Sequence, residues 1–261
     1  MNSHLTLALV VCTASIVQAQ QGPVTYTVTT QLDIELPPEL ADMQDQFPSE
    51  QVTERILLID ESASSMRAVP TDDSAQRQRG FQNADEQDVQ VVFRDSGADG
   101  DEQTHVDLAT GVITEKRSFL GRAFRVVGER PDVPWRLTGE RSEFLGYPCQ
   151  QAVAQVDSMT VEAWFTTEIP APVGPDVYGG LPGAILVLAA GDRTFEATGV
   201  DLSPLAPGAI ELPTRGDEVT REEFAAIVEE RIRDLETTGL STTTSRDGTR
   251  RTTRVFRTNR N

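Results

Sequence analysis

Residues 22–36 alternate almost without a break. Val24, Tyr26, Val28, Leu32, Ile34 and Leu36 point one way, and Thr25, Thr27, Thr29, Gln31, Asp33 and Glu35 point the other. A period of two places one row against a core and the other in water, which a helix cannot do. Pro37-Pro38 ends the run, because proline donates nothing to a ladder. This opening strand needs partners, so the chain is read first for further strands.

They follow in quick succession. Residues 52–59 and 64–69 read as a hairpin around Asp60-Glu61-Ser62-Ala63, and residues 88–94 as a strand. Residues 105–108 and 112–119 flank Ala109-Thr110-Gly111 as a second hairpin. Strands at 122–128 and 135–143 come next, then a pair at 149–156 and 159–167 around Asp157-Ser158. Residues 184–190 are apolar at every position, which predicts burial on both faces; 193–201 would pair with them across Gly191-Asp192. One helix is predicted, at 221–236. Thr220-Arg-Glu-Glu223 is a capping box, and Phe224, Ile227, Val228, Ile232 and Leu235 follow helical spacing. Residues 39–46 read as a short helical turn, and 70–86 as a polar loop without period.

The expected fold is mainly β (α+β): a single curved antiparallel sheet or half-barrel, with one C-terminal amphipathic helix packed on residues 184–190. No Pro/Gly/Ser linker divides the chain, so residues 20–239 are read as one domain. Residues 240–261 read as a disordered Thr/Arg-rich tail.

Residues 1–19 read as a secretory signal, with an apolar core over 5–11 and Val17-Gln-Ala19 as the cleavage site. That core is far shorter than the roughly 18 residues of a spanning helix. A lipid anchor on Cys12 is the weaker reading, since Val11 is a poor neighbour for it. Removing the signal would leave Cys149 as the one thiol, so the fold would rest on its core without a disulfide. Export to the periplasm or cell surface follows, with the mature chain in solution. The net charge is −18, from 41 acidic and 23 basic residues, and Lys116 is the one lysine. That balance argues against nucleic acid as a partner. Residues 245–261 run the other way, with six arginines and one aspartate.

The densest local signature is at 144–190. It runs Gly146-Tyr147-Pro148-Cys149-Gln-Gln-Ala152, then Glu162-Ala163-Trp164-Phe165-Thr166, then Glu168-Ile169-Pro170, Gly174-Pro175 and Gly180-Leu181-Pro182-Gly183-Ala184-Ile185. In this block the chain resembles the GLPGLI family of exported bacterial proteins of Bacteroidetes type, with Ala184 where the family name has leucine. The resemblance implies an envelope protein of unknown biochemical activity, with a sheet similar in outline to half-barrels that carry lipoproteins. It transfers no catalytic residue. Gly174, Pro175, Gly180, Pro182 and Gly183 are read as structural, forming the turn into the following strand.

Catalytic constellations are absent from the pattern. His105 and Cys149 could pair only if the fold joined them, and the plainer reading makes Cys149 a small hydrophobe. No nucleophile elbow stands beside the histidine. Asp95, Asp99, Asp101 and Glu102 do not match a calcium-loop spacing, so no metal and no cofactor are expected. Trp164 falls on the polar face of its strand with Glu162 and Thr166, and could line the concave side of the sheet as a ligand platform. Tyr178 and Leu181 are the other weak binding candidates. The first functional expectation is a non-enzymatic binding or carrier module for a lipid or an envelope protein, using the concave face. The alternatives are a carboxylate-based hydrolase of envelope polysaccharide, and a structural protein that docks a partner through the Gly-Leu-Pro-Gly turn.

Overall fold

A computed structural model describes residues 21–32, 48–69, 89–93, 102–237 and 253–257. Its strands are β1 (Gly22–Gln31), β2 (Glu50–Ile59), β3 (Ala63–Ala68), β4 (Val89–Phe93), β5 (Gln103–Asp107), β6 (Val112–Phe119), β7 (Arg122–Glu129), β8 (Arg136–Phe144), β9 (Tyr147–Val156), β10 (Met159–Thr166), β11 (Ala184–Ala190), β12 (Arg193–Val200), β13 (Asp217–Val219) and β14 (Thr253–Arg257). One helix, α1 (Arg221–Thr237), lies near the C-terminus. Twelve strands form one open, curled sheet in the order β13-β7-β6-β5-β3-β2-β1-β12-β11-β10-β9-β8, and β14 pairs with β4 apart from it. No helix among the described residues is long and apolar enough to cross a membrane.

The sheet grows by hairpins on either side of one long-range seam. β1 pairs antiparallel with β2 on one side and with β12 on the other, joining the first half of the chain to the second. Its alternation holds as far as the strand runs: Val24, Tyr26 and Val28 are buried, and the threonines between them are half-exposed. The buried Tyr26 hydroxyl donates to Ile185 O at 2.6 Å, and burial holds its pKa above the ordinary tyrosine value. β8 is one edge, exposed at every position except Phe144 and broken by a bulge between Leu137 and Arg141. Charges and a bulge keep such an edge from pairing with other chains.

Two covers close the core-facing side of the sheet. Residues 167–183 lie over its middle, where Ile169, Ala171, Val173 and Leu181 join Val24, Tyr26, Leu57, Val161, Phe165, Leu186 and Phe195 in one apolar cluster. α1 covers the other end through Val228 and Ile232 on Phe119, Phe124 and Val126. Its capping box is formed: Thr220 N donates to Glu223 Oε2 at 2.8 Å, and Glu223 N to Thr220 Oγ1 at 3.1 Å. The segment between β7 and β8, residues 130–135, is tied to the first cover. Trp135 Nε1 donates to Gly179 O at 2.9 Å, and the Arg130 guanidinium to Pro172 O at 3.3 Å.

Several expectations are corrected. The helix packs on β7, not on Ala184–Ala190, because Phe124 and Val126 present the apolar stripe that Val228 and Ile232 need. β11 is not buried on both faces: Ala189 is exposed and Val187 half-buried, and its inner face is covered by residues 167–183. The opening strand ends at Gln31. Part of the expected disordered tail is β14. The rest of that tail, the signal with Cys12, the helical turn at 39–46, the loop at 70–86 and the carboxylates Asp95, Asp99 and Asp101 lie outside the described residues.

Candidate functional site

Between the two covers the inner face carries charge instead of hydrocarbon. On β6 the residues Ile113, Glu115, Arg117 and Phe119 share one face, so two charged groups stand among apolar neighbours. Arg117 is ion-paired with Glu115, and Arg221 at the start of α1 reaches the same carboxylate at 3.1 Å. Arg55 on β2 pairs with Glu102 at 3.0 Å. From the cover, Asp176 accepts from Arg193 at 3.0 Å and from Thr104 Oγ1 at 3.0 Å, and it stands 3.9 Å from Arg117. Among the described residues, four guanidinium groups thus meet three carboxylates, one positive charge more than negative.

This cluster fastens the covers to the sheet. Asp176 adopts φ 56°, a left-handed conformation that aspartate tolerates better than most residues, and its N–H is directed at Met66 Sδ 3.1 Å away. Burial would raise its pKa, but Arg193, Arg117 and Arg55 outweigh burial and hold it well below the usual carboxylate range. Glu115, opposed by burial but joined by Glu102 and Asp176, keeps Arg117 charged far above its ordinary value. With its pKa lowered in this way, Asp176 makes a poor proton donor at neutral pH. The cluster was missed in the sequence because its members are scattered over three strands, a helix start and the segments that carry Glu102 and Asp176. The available signal was the inward parity of Glu115 and Arg117.

Among the described residues, a cleft of about 270 Å³ opens beside α1, lined by Phe119, Leu120, Arg122, Phe124, Ile227, Arg231 and Asp234. Phe124 and Phe224 meet edge to face at 5.3 Å and fix its back wall. The β6–β7 turn forms its lip. Leu120 and Gly121 take φ 50° and 79° there, the paired left-handed turn that matches strand twist, and Leu120 remains 41% exposed. Arg122 and Arg231 at the mouth are each in exposed pairs, with Asp217 and Asp234. Such pairs contribute little and open readily.

The residues singled out in the sequence fall differently. Leu181 is 3% exposed, so its side chain lies inside the first cover and not on the surface of its turn. Tyr178 is half-buried on the same cover, its N–H donating to Pro175 O at 3.1 Å. Gly174, Pro175 and Gly183 are buried, Gly180 and Pro182 exposed. A Cβ on Gly183 would stand 1.9 Å from Thr166 O, so the glycine allows the cover to meet β10. Gly180 takes φ 85°. Trp164 does not line the inner face. It lies on the face away from Val161, Ala163 and Phe165, half-buried, because its parity in β10 matches Glu162.

His105 and Cys149 are not brought together: the charges about His105 are those of Asp107 and Asp60, whereas Cys149 lies beside Phe144 and Glu168. Cys149 is 2% exposed, and burial pushes its thiol up to about 11. Burial lowers the pKa of His105 against the opposing pull of Asp107 and Asp60. Glu102 is bound to Arg55 rather than free for a cation, and no metal-holding cluster occurs among the described residues.

Comparison with known proteins adds a fold and a family of unknown role. Residues 153–187, from β9 through the first cover into β11, match the model of a family described as "Protein of unknown function (Porph_ging)". No curated protein matches the chain. The crystal structures of PNGF-II in the P21 and C2 space groups are similar in fold. The TM-score is 0.52 for each, at 16% and 15% identity, covering 82% of this chain and 34% of PNGF-II. This chain therefore spans about a third of PNGF-II, and at those identities the likeness concerns the fold alone.

Proposed function

We propose that this chain is an exported cell-envelope binding module of GLPGLI type, without catalytic activity, which seats an apolar chain in the cleft between α1 and the β6–β7 turn. The reading keeps the expected binding role and moves it along the inner face. The middle of that face is filled by the first cover, whereas the cleft stays open under the helix. The observation that carries it is the pairing of an apolar floor of Phe119, Phe124 and Ile227 with an exposed leucine lip. Small-molecule sites have this character: concave, mostly apolar, with a few polar groups at the mouth. The hydrolase alternative finds less support, since Glu102, Glu115 and Asp176 are all engaged by arginines.

The test is to purify the full chain natively and identify bound molecules by mass spectrometry, beside an Ile227→Trp variant that fills the cleft. The parent should carry an apolar ligand that the variant lacks, at similar melting temperature. A ligand-free parent that also fails to bind the hydrophobic dye 1-anilinonaphthalene-8-sulfonate would refute the seat, as would a variant that retains the ligand.

A further inference from the structure

The outer face of β8, β9 and β10 carries a hydrogen-bonded row of side chains that the cleft does not use, and its Trp164, with Phe144, also packs half-buried against the apolar cluster. Glu162 Oε1 accepts from Trp164 Nε1 at 3.0 Å and from Gln151 Nε2 at 2.8 Å. Gln151 Oε1 in turn accepts from Thr138 Oγ1 at 2.7 Å. Three hydrogen bonds thus hold four side chains on three neighbouring strands in fixed positions. Phe144 meets the Trp164 ring edge to face at 5.6 Å, which fixes the indole as well. The row ends at the open edge of the sheet, where Thr138 is exposed, and Ala189 on β11 leaves the other flank exposed.

The chemistry of this row is specific. The one donor of Trp164 is engaged by Glu162, so the part of the half-buried indole left uncovered by the apolar cluster and Phe144 offers a ligand π surface and nothing polar. Beside it, Glu162 retains acceptor capacity, the Gln151 amide a second N–H, and the Thr138 oxygen, which already accepts from Glu140 N at 3.2 Å, one further lone pair. A sugar ring has the matching character: an apolar C–H face that stacks on an aromatic, and a rim of hydroxyls that each donate and accept. Because the side chains are already fixed, binding would cost little of their rotamer freedom. We propose that this face is a saccharide-binding platform, with Trp164 as the stacking surface and Thr138, Gln151 and Glu162 as the hydrogen-bonding row. It lies on the face of the sheet opposite the cleft and does not depend on the apolar seat.

Calorimetric titration of the full chain with the β-1,4-linked hexasaccharides of N-acetylglucosamine and glucose, and with mannohexaose, tests this. At least one of the three should bind. Trp164→Ala should weaken it about tenfold, the worth of one aromatic contact, and Trp164→Phe should restore most of the loss. Gln151→Ala and Thr138→Ala should each weaken binding less. Thr138 is exposed at the edge, so its variant keeps the test valid should Trp164→Ala fold poorly. The proposal is overturned if none of the three sugars binds. It is equally overturned if Trp164→Ala and Gln151→Ala bind like the parent, or if a proline-rich peptide is held at this face while the sugars are not.

Discussion

Replacing Asp176 by asparagine should cost about 3 kcal/mol of stability at neutral pH. The residue keeps its shape, its tolerance of φ 56° and an oxygen for Thr104, and loses its charge and the second oxygen that accepts from Arg193. Arg193 and Arg117 would then face each other across the junction without the carboxylate that holds them. Removing one partner of a buried pair costs about 3–5 kcal/mol, and the retained hydrogen bond places asparagine at the lower end. With side chains 13% and 11% exposed, Asp176 and Arg193 need only a small discount for solvent screening. Asp176→Ala should cost about 1 kcal/mol more, since alanine tolerates the left-handed region poorly. Urea unfolding followed by far-UV circular dichroism would show the asparagine variant's midpoint falling by about 1 M.

The pH dependence has a fixed sign. The folded carboxyl titrates below its ordinary 3.8, so its stabilising effect is complete above that value and fades as pH falls through the folded pKa. The difference between parent and variant should therefore be level from pH 8 to pH 5 and shrink only below about pH 4. A loss under about 1 kcal/mol at pH 7 would show that water screens the cluster and that it does not fasten the cover. A difference that drifts between pH 8 and 5 would assign the effect to another group.

Three further outcomes follow from the covers and the core. Leu181→Ala should lower stability by about 2–5 kcal/mol, read as a fall in melting temperature, because it opens a cavity under the first cover. Gly183→Ala should abolish soluble expression, since its Cβ would collide with the Thr166 carbonyl at 1.9 Å; a variant melting within a few degrees of the parent would contradict the close approach. Cys149 should resist Ellman's reagent at pH 8 in the native state and react at once in urea, as a buried thiol pushed up to about 11 requires.

The hairpins were legible because each strand is bounded by its own turn residues and alternates on a short scale. The helix was legible for a similar reason, since Thr220 and Glu223 mark its start whatever it packs against. Its docking place was not. Residues 184–190 look buried on both faces by composition, yet alanine at 189 can stand in water at little cost. The stripe of Phe124 and Val126, only two residues long, was the true partner. The Arg–carboxylate cluster was hidden because sequence reading treats a charged residue as outward-facing. Glu115 stands between Ile113 and Phe119 on the buried side, and only parity reveals it. Trp164 was assigned to the polar side of its strand correctly. Which side of the curled sheet that would be depends on where the covers lie, and no local pattern records that.

The six residues between β7 and β8 bear on the shape of the whole sheet. β7 and β8 stand ten places apart in the strand order, which on a flat sheet would separate them by about 48 Å. A six-residue connection cannot reach beyond about 25 Å even when fully extended. The short connection therefore acts as a bowstring: it forbids the flat state by covalent length, before any side chain packs. Arg130 and Trp135 lie along this string and grip the Gly179 region from across the opening, so the tension that bends the sheet also holds its lid in place.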